Sequence, residues 1–378
     1  MIGKQRIWDD TATSRAPLSR ARHVPGYLYA SPEVYALEKD AIFMKEWLCV
    51  GRAEEIEHPG DYLTLRVVDE PIIVCRDENG ALNAFYNVCA HRGTEVVTGR
   101  SGNVKRFSCP YHGWTYDLTG RLTVAAYTQE IESFRTCDYG LAPIRVDSWG
   151  GFVFVNFDPK APGLADWLGD FADVYGPYRP DECRLAAKFT LEYECNWKLL
   201  TENLVDIYHL ATLHANTLGP HQPLESYEFQ LTTGGYHGYF RGRTQTPDGK
   251  SLFGPMPWLS GRLLEGGYSS HLRPNMGFYP RYDFLYFITE WPLGIERSAA
   301  VSYLIFPKQL FELADFDARA KVYTDFLKVI LEEDLGMIRS LHKGVKSRAF
   351  RPGPLSKYET AIHNIVNYHL TRITSAAA

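Results

Sequence analysis

The chain has 378 residues, 45% of them apolar and 14% aromatic, with a formal net charge of −5. That suffices for two or three cored domains and lacks the basic excess of a polyanion-binding surface, so no nucleic-acid partner is expected. No run of eighteen apolar residues occurs, which speaks against a membrane span, and Met1 to Ala16 carries early charges without an apolar h-region, so a cytoplasmic location is expected.

In chain order, Ser31-Pro32-Glu33 reads as a helix start, an N-cap serine followed by proline at the first helical position, and the helix should run to about Phe43. From Asp61 the texture becomes β-rich. Short runs at 62–68, 71–75 and 82–86 read as strands, with Asp77-Glu78-Asn79-Gly80 as a turn, and 151–157 as another strand. Asp158 to Gly163 is a proline-containing linker. Beyond it come a helical stretch over 196–213, strands at 284–289 and 300–306, and a long helix from about Asp317 to Lys343, closed by Gly344. The expected architecture is α+β: residues 1–44 a helical segment packing on the second domain, 45–158 an all-β domain, and 159–378 a mixed domain with an antiparallel sheet.

The seven cysteines are odd in number and scattered, which does not suit a disulfide framework. Two of them keep company with histidine. Cys89-Ala90-His91 is followed, after seventeen intervening residues, by Cys109-Pro110-Tyr111-His112. Two loops offering two thiolates and two imidazoles can close a zinc site or a [2Fe–2S] cluster. Zinc modules usually pair like ligands, whereas here each loop carries one of each. That matches the Rieske cluster, in which two His replace two Cys on one iron. Gly93 and Gly113 would let the backbone approach the sulfides closely.

More than two hundred residues follow the linker, so something must receive the electron. His209 and His214 are candidates, but five residues turn a helix by roughly 500°, so both can face one metal only if the helix is broken, with Thr212 and Leu213 as the place for it. Two imidazoles and a carboxylate form the face of non-haem Fe(II) oxygenases. On the long helix, Phe326, Leu327, Ile330, Met337, Ile338 and Leu341 define an apolar stripe with Asp334 in its middle, Glu333 on its flank and Glu332 opposite. A carboxylate facing a core is costly unless paired or metal-bound, which favours Asp334 as third ligand. Asp206, three residues before His209, is either a ligand or the acceptor for a ligand His, the second being preferred. Glu202 and Tyr208 read as structural hydrogen-bonders.

Together these residues resemble the α subunits of Rieske non-haem iron ring-hydroxylating oxygenases, from about Tyr27 to His369. The resemblance implies a Rieske domain plus a helix-grip catalytic domain. It also implies a [2Fe–2S] cluster on Cys89, His91, Cys109 and His112, and a mononuclear Fe(II) on His209, His214 and Asp334. It further implies a homotrimer in which Asp206 bridges His112 of one copy and His209 of the next. The segment from Glu202 to Asp206 is one residue shorter than in naphthalene-type dioxygenases and is similar to the carnitine, choline and glycine-betaine branch. That branch often has Glu where this chain has Asp206, and relatives often have Gln where it has His342.

No GxGxxG fingerprint is present, so electrons from NAD(P)H are expected through a separate reductase, with or without a ferredoxin. The pocket is expected between residues 215 and 310, which hold Tyr227, Phe229, Tyr236, Tyr239, Phe240, Phe253, Trp258, Phe278, Tyr279, Tyr282 and Trp291. Most of these rings read as core, and a few could stack on an aromatic ring or cage a quaternary ammonium by cation–π attraction, without choosing between them; the expected activity is hydroxylation of an aromatic or related small substrate, with hydroxylation or N-demethylation of a quaternary ammonium compound as the alternative. Arg241, Arg243, Arg262 and Arg281 read as solvated, with carboxylate binding as their other use. From other classes, a pure electron-transfer Rieske protein is disfavoured by the second domain, and a zinc module by the mixed Cys/His loops.

Overall fold

Asp77 shows how local chemistry sets register in the β-rich half. Its Oδ1 accepts from the Asn79 and Ala81 N–H groups, both at 2.9 Å, and this turn joins strand β3 (Glu70–Arg76) to β4 (Leu82–Tyr86), pairing Arg76 with Leu82 and Ile72 with Tyr86. The computed structural model describes residues 2–375; the outermost ends of the expected domains, Met1 and residues 376–378, lie outside them. It divides into two compact units: Phe43–Trp167, and a second made of Met1–Ile42 with Leu168–Ala378.

The unit Phe43–Trp167 is all-β. With β1 (Leu48–Arg52), β2 (Asp61–Val67), β5 (Ser101–Asn103), β9 (Pro143–Trp149) and β10 (Phe152–Asn156), the strands above form an antiparallel sheet in the order β1-β10-β9-β4-β3-β2-β5. A smaller sheet holds β6 (Phe107–Ser108), β7 (Thr115–Tyr116) and β8 (Leu122–Val124). Tyr62, Phe85, Phe107, Trp114 and Tyr116 pack around Cys89 and Cys109, so the two thiols lie in the core rather than on a loop surface.

The other unit is built on seven antiparallel strands: β11 (Cys183–Tyr193), β12 (Glu228–Thr232), β13 (Gly235–Arg241), β14 (Gly266–Leu272), β15 (Met276–Phe278), β16 (Leu285–Pro292) and β17 (Ser298–Pro307), in the order β11-β17-β16-β15-β14-β13-β12. Its helices of seven residues or more are α1 (Lys4–Asp10), α2 (Pro32–Glu38), α3 (Trp197–Val205), α4 (Phe316–Val345) and α5 (Thr360–Thr374). The Ser31 hydroxyl accepts from Val34 N–H at the start of α2. The N-terminal segment lies against α5, with Lys4 Nζ on the Ser375 carbonyl and His363 Nε2 on the Ala16 carbonyl. None of the seven cysteines is in a disulfide; six are buried and Cys137 is exposed. No helix among the described residues is long and apolar enough to cross a membrane.

Three expectations from sequence change. Helix α3 stops at Val205, not at Leu213. Asp206 takes an extended conformation and its Oδ1 accepts from Tyr208 N–H at 2.7 Å, a local turn that competes with the helix. Helix α4 runs through Gly344, because Val345 is buried; its carbonyl crowds Gly26, where a Cβ would lie 1.8 Å from the oxygen. Third, Met337 and Leu341 are 55% and 47% exposed. The buried stripe of α4 runs instead through Phe326, Leu327, Ile330, Leu331, Asp334, Ile338, His342 and Val345.

Candidate metal centres

The two Cys/His loops share one backbone plan. Cys89 N–H donates to the Thr94 carbonyl and Gly93 N–H to the Cys89 carbonyl, at 2.8 and 2.9 Å; Cys109 N–H donates to Trp114 O and Gly113 N–H to Cys109 O, at 2.8 and 3.0 Å. Each loop closes through a glycine with positive φ, +81° at Gly93 and +69° at Gly113. In the chain itself a Cβ at either would meet nothing within 4 Å, so backbone conformation rather than space calls for glycine there. Cys89 and Cys109 are buried while His91 and His112 are exposed, their Nδ1 atoms 3.2 Å apart. Burial raises the Cys109 thiol above its usual pKa, so a thiolate there calls for a cation. Two inner sulfurs and two outer imidazoles whose Nδ1 atoms converge fit a cluster with Cys on one iron and His on the other. Trp114 stacks on His91 at 4.9 Å, and the Tyr116 hydroxyl lies 3.3 Å from Cys89 Sγ while accepting from Ala90 N–H.

The second centre is assembled from distant segments. The break after α3 carries His209 in a short 3₁₀ turn and His214 in the turn that follows, and α4 brings Asp334. Their ligand atoms form one cluster: Asp334 Oδ1 is 3.2 Å from His214 Nε2 and 3.7 Å from His209 Nε2. Asp334 is 3% exposed and its Oδ1 has no hydrogen-bond partner. A buried anionic oxygen without a donor, faced by two imidazole nitrogens, suits a divalent cation.

Both far ring nitrogens are engaged. His209 Nδ1 is 2.9 Å from Asp206 Oδ2, and His214 Nδ1 is 2.6 Å from Glu333 Oε2, which also accepts from Thr217 Oγ1. Each carboxylate accepting from Nδ1–H leaves Nε2 as the open lone pair. Burial draws the His214 pKa down, but Asp334 and Glu333 outweigh it and hold it above the usual imidazole value. Sequence reasoning missed Glu333; its place one residue before Asp334 was the available signal. Glu202 is buried, holds the Tyr29 hydroxyl at 2.9 Å, and is pushed by that burial up to a pKa of about 7; Tyr208 is exposed.

The His209–His214–Asp334 cluster opens on a narrow cavity of about 50 Å³. Of the eleven rings singled out above, only Tyr227 and Tyr279 line it; Tyr286 and Arg281 join them. Arg241 pairs with Glu265 and Arg262 with Glu228 at the surface, as read from sequence, but Arg281 is 1% exposed. It is held between strands by Nη1 bonds to the carbonyls of Tyr268 and Pro280, which is why it does not reach solvent.

Residues 180–375 match the family model described as ring hydroxylating alpha subunit (catalytic domain), and residues 46–135 match that of the Rieske [2Fe-2S] domain. The glycine betaine monooxygenase oxygenase subunit of Chromohalobacter salexigens is 31% identical over 92% of this chain and 84% of its own length. The carnitine monooxygenase oxygenase subunit of Acinetobacter pittii is 30% identical over 86% of each. The solved structure of a quaternary ammonium Rieske monooxygenase superposes with a TM-score of 0.83 at 30% identity, over 95% of this chain and 97% of that one.

Proposed function

Since the chain belongs to the ring-hydroxylating α-subunit family of Rieske oxygenases, we propose that it is the oxygenase component acting on a small quaternary ammonium compound. It is an oxidoreductase with a Rieske [2Fe–2S] domain and the catalytic domain of a non-haem iron oxygenase. The aromatic substrate expected from sequence gives way to the alternative, since the relatives named above act on glycine betaine and carnitine. The observation that carries the reading is the His209–His214–Asp334 cluster opening on a tyrosine-walled cavity. Burial raises the Tyr227, Tyr279 and Tyr286 phenols above their usual pKa, so they stay uncharged and can present ring faces to a cation.

In this reading Cys89, His91, Cys109 and His112 hold the cluster, and His209, His214 and Asp334 hold the iron. Bound there, the cluster would supply one-electron transfer and the iron would supply O₂ activation for attack on a C–H bond of the substrate. The chain's own work is positional. Asp206 and Glu333 fix the tautomers and ring orientations of the two histidines, and Leu218, Leu327 and Ile330 keep the cavity wall apolar. An NAD(P)H-dependent reductase, with or without a ferredoxin, supplies the electrons. The copies form a homotrimer in which Asp206 joins His209 to His112 of the next copy.

The test is to reduce the holoenzyme anaerobically and mix it with O₂ alone, with pooled quaternary amines, and with pooled aromatic acids, following cluster absorbance and product. Faster reoxidation with formaldehyde or a hydroxylated amine in the second arm is expected. A response in the third arm only overturns the substrate reading, and a response in neither overturns the oxygenase reading.

A further inference from the structure

Arg281 is the one buried charge in the cavity that the metal centre does not use. Its side chain is 1% exposed. Nη1 donates to the carbonyls of Tyr268 and Pro280, at 2.7 and 3.1 Å. Nε and Nη2, the two nitrogens of the guanidinium fork, are buried with no partner. The group lies over the Phe240 ring, 4.6 Å from its centroid, and 5.9 Å from that of Tyr286. No Asp or Glu among the described residues forms an ion pair with it. Other titratable groups close enough to feel its charge are Tyr178, Tyr227, Tyr279, Tyr286 and His221. Burial holds the four phenols above their usual pKa and His221 below its own, so all five are uncharged at neutral pH. Gln222 lines the same cavity; its Oε1 accepts from Tyr227 OH at 2.6 Å, and its Nε2 is buried with no partner.

A desolvated guanidinium with an unused fork is costly unless an anion meets it, and the planar oxyanion that matches such a fork is a carboxylate. We infer that Arg281, assisted by Gln222, forms a carboxylate subsite in the cavity that holds His209, His214 and Asp334, so that the substrate carries a carboxylate at the end away from the oxidised carbon. Combined with the proposed function, on which the ammonium end alone rests, this makes the substrate a zwitterionic betaine rather than an amino alcohol. Uncharged tyrosine faces receive its cationic end, and Arg281 selects its anionic one.

The experiment is anaerobic calorimetric titration of the holoenzyme and of its Arg281→Gln, Arg281→Lys and Gln222→Leu variants. The probes are glycine betaine, carnitine, choline, benzoate and formate, with unfolding temperatures measured alongside. In the wild type, acids should bind more tightly than choline. Arg281→Gln should weaken the acids about tenfold or more and leave choline unchanged; Arg281→Lys should fall between, keeping charge without the fork; Gln222→Leu should weaken the acids least. If Arg281→Gln fails to fold, the Lys and Leu variants carry the same comparison. Equal binding of choline and glycine betaine, variants that weaken acids and choline alike, or a wild type that binds no acid down to formate would overturn the subsite. Binding of benzoate but of no betaine would leave the subsite standing and remove the quaternary ammonium reading; betaine binding indifferent to Arg281 would do the reverse.

Discussion

The two candidate metal centres are built in opposite ways. The Cys/His loops are local: each is a single turn with a repeated backbone pattern, sulfurs buried and imidazoles exposed. The His209–His214–Asp334 centre is non-local, joining a broken helix to a second helix more than a hundred residues later, with His214 1% and Asp334 3% exposed. Neighbouring residues suffice to build the first. The second is closed by distant parts of the chain. The carboxylates Asp206 and Glu333 behind the histidines belong to that second strategy.

Substitutions can break each centre separately. The largest effect is expected from Cys89→Ser or Cys109→Ser: loss of visible cluster absorbance and, because both thiols sit in the core, loss of stability of the β unit, read by absorbance and thermal unfolding. Next, Asp334→Asn should cut metal content from about three irons per chain to about two while leaving the cluster spectrum intact, read by elemental analysis beside the spectrum. Glu333→Gln should keep the iron but weaken it roughly 10- to 100-fold against a chelator, since His214 loses its charged acceptor.

A smaller, pH-dependent effect belongs to Glu202. Burial raises its pKa to about 7 from an ordinary 4.5, so its neutral form favours the folded state. That contribution is complete below pH 4.5 and is lost as pH rises through about 7. Glu202→Gln should therefore gain on the wild type above pH 7, by on the order of 1–3 kcal/mol in denaturant titrations, and the gain should vanish at pH 4.5. The smallest expected change is Tyr116→Phe, which removes the hydroxyl beside Cys89 Sγ and should lower the cluster potential by roughly 40 mV, one hydrogen bond's worth for one electron.

How far the sequence was readable follows the same division. The Cys-x-His and Cys-x-x-His loops could be read letter by letter because each ligand pair and its glycine lie within five residues. Asp334 stood out as one carboxylate inside an apolar stripe, and the fold buries it beside His209 and His214, although the stripe itself swings toward Leu331 and His342 and away from Met337 and Leu341. The helix break was inferred from the His209–His214 spacing but misplaced, because Asp206 was weighed as a metal partner and not also as a turn former. Arg281 was read as solvated, with carboxylate binding as its other use, because arginines are usually exposed; its burial comes from the packing of Phe240, Tyr268 and Pro280 around it, which no local pattern announces.

The most direct test of the account is single-turnover reoxidation of the reduced cluster by O₂, in the wild type and in Asp334→Asn, with and without glycine betaine. Substrate-accelerated reoxidation with product is expected in the wild type, and neither acceleration nor product in a variant whose cluster spectrum is unchanged. A variant that reoxidises and forms product as fast as the wild type would contradict it.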